Sequence, residues 1–452
     1  MRLHRNRTRQ EVGMDYKKLI LDRLLDRYEK SKAFTDGTSR RRILIRLNSH
    51  EFPEYDIEKP FVRETFNSVI TELASREIVG FEWLKHEQGN IIDKVWLIVP
   101  NVSRAYEEIS RKPKRSILDS ILERAEQAAR FIDPEMGEDP VDGSANGQVS
   151  GDISDKGGIA WAGNFMHDVI SSIKDRASAA GLLPENEEQS LAVIRAVEEI
   201  CRLRGTECLE RVFSLRCYGD SKYFEKFVRG RLISLLKKYY IGIDEAAEMT
   251  DDDILAQAGI RQSPEYVEFR GAISVSLEGN VIDFSLFPYG VSINADTVRR
   301  LEVVSMGTVK RILFIENKAN YVEFTIANRD PDMMIVYLGG FYSPLKGLFI
   351  RKVYEKASEH NVRFYHWGDI DLGGFLIFNR LKTNIIPKLE PYLMDRTALE
   401  TMREHAVRFD DKYAAKLAEL LADDGYKVFH DVIGYMLENR IRLEQEVFLL
   451  SG

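Results

Sequence analysis

Between residues 309 and 384 the sequence alternates short, continuously apolar runs with helix-forming segments, a pattern few architectures accept. Lys310 to Glu316 (KRILFIE), Met333 to Gly339 (MMIVYLG) and Val362 to Asp371 (VRFYHWGDID) read as strands, and Ser343 to His360 and Phe375 to Asn384 as helices. A strand that is apolar along its whole length is covered on both faces, as in a parallel sheet packed between its crossover helices. In an open sheet of this kind ligands bind beyond the carboxyl ends of the strands, where helix N-termini converge. The first run ends in Glu316 and Asn317-Lys318, the second in Gly339-Gly340, the third in Gly368-Asp369-Ile370-Asp371.

Asp369 and Asp371 are two apart, so an extended backbone presents them on one face, where Glu316 can approach from a neighbouring strand. Magnesium takes oxygen ligands, usually one or two carboxylates, and leaves positions for water and phosphate. The expected cofactor is therefore Mg2+, with Mn2+ able to substitute. Glu316 fits equally as a ligand or as a general acid or base. Gly340 is expected to let backbone come close to phosphate where a side chain would clash. Plainer roles exist for the same residues: Asp371 as N-cap of the next helix, Glu316 as partner of Lys318 or Arg311, His366 and Trp367 as core residues of the strand. Metal ligation by His366 is the alternative to core packing.

At roughly 150 residues per domain, 452 residues suit about three domains, and an α/β and α+β multidomain protein is expected. Residues 15–100 carry helix (Asp15 to Lys32), turn, strand (Arg41 to Leu47), helix (Pro60 to Arg76) and a hairpin (Ile78 to Lys85, Ile91 to Val99), the order of a winged-helix-like domain. Such a module reads DNA or docks proteins, and its fold does not say which. Residues 101–160 are a helical segment and a linker, rich in Gly, Asp, Ser and Pro from Asp133 to Gly158. A middle domain, 161–305, is expected to hold helices Asn164 to Ala179 and Glu187 to Cys201, a basic helix Ser221 to Tyr240, and strands Glu265 to Ser276 and Val281 to Phe287. Residues 306–452 are expected to form the domain with the parallel sheet and the candidate site.

A net charge of −8 argues against indiscriminate coating of nucleic acid, so local charge decides. Arg40, Arg41, Arg42 and Arg46 form one basic cluster; Lys222, Lys226, Arg229, Arg231, Lys237 and Lys238 form another. Each is a phosphate-binding patch or a solvated face. Lys222, Arg229 and Arg231, with Lys318, are the candidate DNA contacts. The three cysteines form no CxxC pair and read as reduced apolar residues. No G-x-x-x-x-G-K-[ST] occurs, so ATP hydrolysis through a P-loop is not expected. No apolar stretch approaches the roughly 20 residues of a membrane span, and the basic N-terminus leads into a charged helix, so a cytoplasmic protein is expected.

The order strand-Glu, strand-Gly, strand-DxD resembles the Toprim domain of primases, topoisomerases and several nucleases. More narrowly, GDSK (219–222), IENKANY (315–321), HWGDIDLGGF (366–375) and LEQE (443–446) resemble the JetD family, nuclease subunits of Wadjet plasmid-defence systems, over about residues 210–450. That resemblance implies a metal-dependent endonuclease acting on double-stranded, plasmid or circular DNA, laid out like the A subunit of topoisomerase VI. It also implies a homodimer that works with an SMC-like ATPase, a kleisin and accessory subunits. On the same analogy Glu316, Asp369 and Asp371 bind metal, and Glu444 and Glu446 complete or support the site; their alternative is the solvated face of a terminal helix. Two rival functions stand beside it: a topoisomerase VI A-like cleaver with Tyr218 as nucleophile, and a DNA-binding adaptor with an inert fold.

Overall fold

The computed structural model describes residues 9–38, 41–133, 157–204 and 206–451. Ser39, Arg40 and nearly all of the Gly/Asp/Ser/Pro-rich linker lie outside them. The described chain divides into two compact units, one within Met1–Gln127 and Met166–Leu191, the other within Ala128–Phe165 and Ala192–Gly452.

In the first unit, helix α1 (Arg9–Glu29) is followed by strand β1 (Leu44–Arg46), helix α2 (Pro60–Ser75) and strands β2 (Val79–Trp83) and β3 (Ile92–Leu97). The strands form an antiparallel sheet in the order β1-β3-β2. Pro60 opens α2 at its first turn, where a missing N–H costs nothing. The helical spacing of Phe66, Val69, Ile70 and Leu73 then buries one face of α2 in a core with Ile20, Leu24 and Leu25 of α1. Each such side chain contributes about 1.5–3 kcal/mol on burial.

The second unit is built on a six-stranded sheet of β4 (Tyr266–Arg270), β5 (Val291–Asn294), β6 (Arg311–Ile315), β7 (Met333–Tyr337), β8 (Arg363–Trp367) and β9 (Leu389–Pro391). Its order is β9-β8-β6-β7-β4-β5. The first four run parallel, whereas β4 and β5 are antiparallel additions. Helices α3 (Lys318–Ala327), α4 (Pro344–Ser358) and α5 (Leu372–Asn384) follow β6, β7 and β8. Ile315 lies opposite both Trp367 and Tyr337, so the carboxyl ends of β6, β7 and β8 stop at one level.

Three expected elements differ, one of them Val281 to Phe287, where the strand ends at Asp283 and Phe284–Leu286 is a 3-10 turn. Glu265 to Ser276 is not one strand: β4 joins the large sheet, and Ser274–Leu277 pairs with Asn280–Asp283 and Glu302–Ser305 in a separate one. The chain divides near Gly271, where a Cβ would collide with the Met334 side chain. The basic helix is also irregular, with π-helical turns at Phe224–Val228 and Lys237–Ile241 flanking regular helix at Arg229–Leu236. Among the described residues, no helix is long and apolar enough to cross a membrane.

Candidate metal centre

Glu316 is the last rung of the parallel ladder. Its N–H donates to the Trp367 carbonyl (2.9 Å), and its own carbonyl accepts from Gly339 N–H (3.1 Å). The strand stops here because Asn317 caps α3, accepting the Ala319 N–H at 2.8 Å. The Glu316 side chain crosses Gly368 closely: a Cβ on that residue would overlap Glu316 Oε2. The residue is partly exposed, yet Oε2 itself is sealed from solvent and lacks a hydrogen-bond partner.

Asp371 takes the plainer role and caps α5, its carboxylate accepting the Gly374 N–H at 2.8 Å. Its other oxygen faces Arg442 at 3.4 Å. Asp369 Oδ1 accepts the main-chain N–H of Gln445 at 2.6 Å. The C-terminal segment reaches these strand ends as an extended strap. Ile370 and Leu443 exchange two backbone hydrogen bonds, of 2.9 and 3.2 Å. The LEQE stretch follows the short strand Ile441–Arg442 and runs into a terminal 3-10 helix that begins at Gln445, so Glu446 lies in the first turn of that helix and Glu444 just before it. Its side chains alternate, with Glu444 and Glu446 exposed and Gln445 buried. Glu446 also accepts from the Asn317 side-chain amide.

Burial sets the electrostatics, and neighbouring like charges add to it. Burial pushes the Glu316 carboxyl well above the usual carboxylate range, and the charges of Asp369 and Asp371 push it further. Burial and then the Asp371 charge bring Asp369 up to about 7, with the Gln445 N–H opposing them. Burial raises Asp371 too, partly offset by the Gly374 N–H and Arg442. His366 is fully buried beside Phe378, neither ring nitrogen has a partner, and burial lowers its pKa to about 3. It is a neutral core residue.

A family model for the C-terminal part of Wadjet protein JetD matches residues 259–450. The Wadjet protein JetD of Bacillus cereus (strain Q1) is 27% identical over 442 residues, covering 96% of this chain and 99% of that protein. The chain is JetD-like. In this JetD-like protein the matched C-terminal span contains Glu316, Lys318, Gly340, Asp369, Asp371, Glu444 and Glu446, and leaves Lys222, Arg229 and Arg231 outside.

The candidate phosphate contacts fare differently from the carboxylates. Gly340 has φ +75° with open space where a Cβ would sit, so the backbone conformation, not crowding within the chain, is what favours glycine there. Lys318 is ion-paired to Glu268 and lies over the Tyr337 ring at 4.6 Å. Arg229 pairs with Asp252 at 2.6 Å and faces Glu210 at 3.6 Å, a local neutralisation that the basic sequence cluster concealed. Arg231 is half-buried, whereas Lys222 is exposed.

Gln445 is the residue that sequence reasoning passed over. The LEQE motif drew attention to its two exposed acids, but the glutamine between them is the side chain that turns into the protein. The candidate ligands Glu316, Asp369 and Asp371 all offer carboxylate oxygen, the ligand type that Mg2+ and Mn2+ take. Among the described residues no group of three or more His, Cys, Asp or Glu side chains is arranged to hold a metal ion. Asp369 and Asp371 instead spend oxygens on the Gln445 N–H, the Gly374 N–H and Arg442. The sealed, unpartnered Glu316 Oε2 and the mutual repulsion of the three carboxyls nevertheless suit a hard cation.

Proposed function

We propose that this chain is the nuclease subunit of a Wadjet-type, SMC-like defence complex, a Mg2+-dependent endonuclease of the Toprim type that cuts double-stranded plasmid or circular DNA. One observation carries the reading: three raised carboxyls stand at the aligned ends of adjacent parallel strands, and one has an orphaned oxygen. Glu316, Asp369 and Asp371 would hold Mg2+, with Mn2+ substituting and with Glu444 and Glu446 adding negative charge beside them. When bound, such an ion neutralises phosphate charge and lowers the pKa of attacking water.

The protein's own groups do the rest. Glu316, whose burial favours the protonated form, has general acid or base work as its alternative to ligation, holding or releasing a proton in place of the ion. Gly340, open on its Cα side, leaves room for a DNA backbone. The exposed Lys222 and the half-buried Arg231 add positive charge for phosphate, an interaction that weakens with salt, whereas Lys318 and Arg229 would have to leave Glu268 and Asp252 to join them. In this reading residues 15–100 are a winged-helix-like docking or DNA-guiding domain, 101–160 a helical segment and linker, 161–305 the middle domain and 306–452 the Toprim domain. The chain works in the cytoplasm as a homodimer, with an SMC-like ATPase, a kleisin and accessory subunits as partners.

A tyrosine mechanism is disfavoured by Tyr218 itself. Its hydroxyl donates to the Ala192 carbonyl (2.9 Å), its ring packs on Tyr223, and burial raises its pKa, all of which make it a poor nucleophile. Tyr218→Phe is expected to keep cleavage within about threefold of wild type; loss of all cleavage would establish the tyrosine reading. The proposal as a whole is tested on supercoiled plasmid, with Mg2+, Mn2+ or chelator, for the protein alone and with its partner subunits. Metal-dependent nicking or linearisation is expected. DNA binding without cleavage in every condition would favour the inert adaptor.

A further inference from the structure

Gln445 has no exposed surface, and each of its polar groups is spent on the carboxylate-bearing strand ends. Its Nε2 donates to the Trp367 carbonyl (2.9 Å), and its Oε1 accepts the Asn317 N–H (2.8 Å). Its main-chain N–H donates to Asp369 Oδ1 (2.6 Å), and its carbonyl accepts from Asn320 Nδ2 (2.8 Å). One side-chain amide therefore joins the residue after Glu316 to the residue two before Asp369, across strands β6 and β8. A buried amide is costly unless fully hydrogen-bonded, and an apolar side chain of equal length would fill the same space without that requirement.

We propose that Gln445 is a positioning residue: a polar staple that holds Glu316 and Asp369 in one arrangement for a divalent cation. This inference rests on the reading that these carboxylates bind metal. The staple works through the strand ends and needs no contact with DNA. Groups that orient ligands in this way typically govern metal affinity by about 10–100-fold.

The test is Mn2+ binding to the full-length protein, followed by calorimetry and by the electron paramagnetic resonance signal of free Mn2+. Gln445→Met keeps the chain length and the main-chain bonds but removes both side-chain bonds. Its Mn2+ affinity is expected to fall by about 10–100-fold with an unchanged circular dichroism spectrum. The Mn2+ concentration that half-saturates plasmid cleavage should rise by the same factor, with cleavage recovering at saturating Mn2+. Wild-type Mn2+ affinity in Gln445→Met overturns the inference. If that variant does not fold, Asn320→Ala, which removes only the bond to the Gln445 carbonyl, should weaken Mn2+ binding several-fold; unchanged affinity there overturns the inference equally. Asp369→Asn separates the two levels. If wild type binds Mn2+ and Asp369→Asn does not, the metal reading stands whatever Gln445→Met does, whereas a wild type that binds no Mn2+ removes both.

Discussion

Asp369→Asn is expected to make the metal-free protein more stable at pH 8 while lowering DNA cleavage on the order of 10²–10⁴-fold. Burial and the Asp371 charge bring the Asp369 carboxyl up to about 7 in the folded protein, against about 3.9 for an unperturbed aspartate. A carboxyl whose folded pKa is raised binds its proton more tightly in the folded state. Its contribution to stability is therefore intact below about pH 4 and is lost as pH rises through about 7. Asparagine does not titrate, still accepts the Gln445 N–H, and escapes that loss. The gain is at most a few kcal/mol, since one pKa unit corresponds to about 1.4 kcal/mol, and it shrinks at pH 5. Thermal melts at pH 5 and pH 8 check this, and Mn2+ should raise the melting temperature of wild type only. A variant less stable than wild type at pH 8 would mean that burial and the Asp371 charge do not disfavour the Asp369 carboxylate as described.

Gly368→Ala should be nearly as damaging to function, for a steric reason. The new Cβ would overlap Glu316 Oε2 and come within 2.9 Å of the His366 ring. Gly368 lies outside the set of positive-φ glycines, so the lost space, not backbone strain, is the cause. Glu316 must swing away, and metal binding and cleavage should each fall about 10²-fold, at a stability cost of about 1–3 kcal/mol. Gly340→Ala provides the contrast: it incurs only the strain of φ +75° and meets no neighbouring atom, about 1–2 kcal/mol. Mn2+ titration and plasmid cleavage of the two variants distinguish the causes. Full activity in Gly368→Ala would show that Glu316 need not lie where it does.

The parts of this site legible in the sequence are those fixed by local pattern. Apolar runs closed by Glu316, Gly339-Gly340 and Gly368-Asp369 announced the strands and where they end, and Asp371 could be read as a helix cap from the segment after it. Long-range partners were not legible. Lys318 looked available for phosphate, but Glu268, 50 positions earlier, neutralises it. Arg229 is likewise claimed by Asp252. Gln445 reaches Asn317 from 128 positions away, a pairing that no periodicity encodes. The antiparallel β4 was hidden because an alternating run does not reveal which sheet it joins, and Gly271 divided what read as one strand.

Anomalous scattering from crystals of the full chain grown with saturating Mn2+ addresses the proposed metal centre most directly. A manganese peak among the carboxylates of Glu316, Asp369 and Asp371, absent from Asp369→Asn crystals, is the expected result. No peak at these strand ends, in protein that still cleaves plasmid in the same Mn2+ solution, would contradict it.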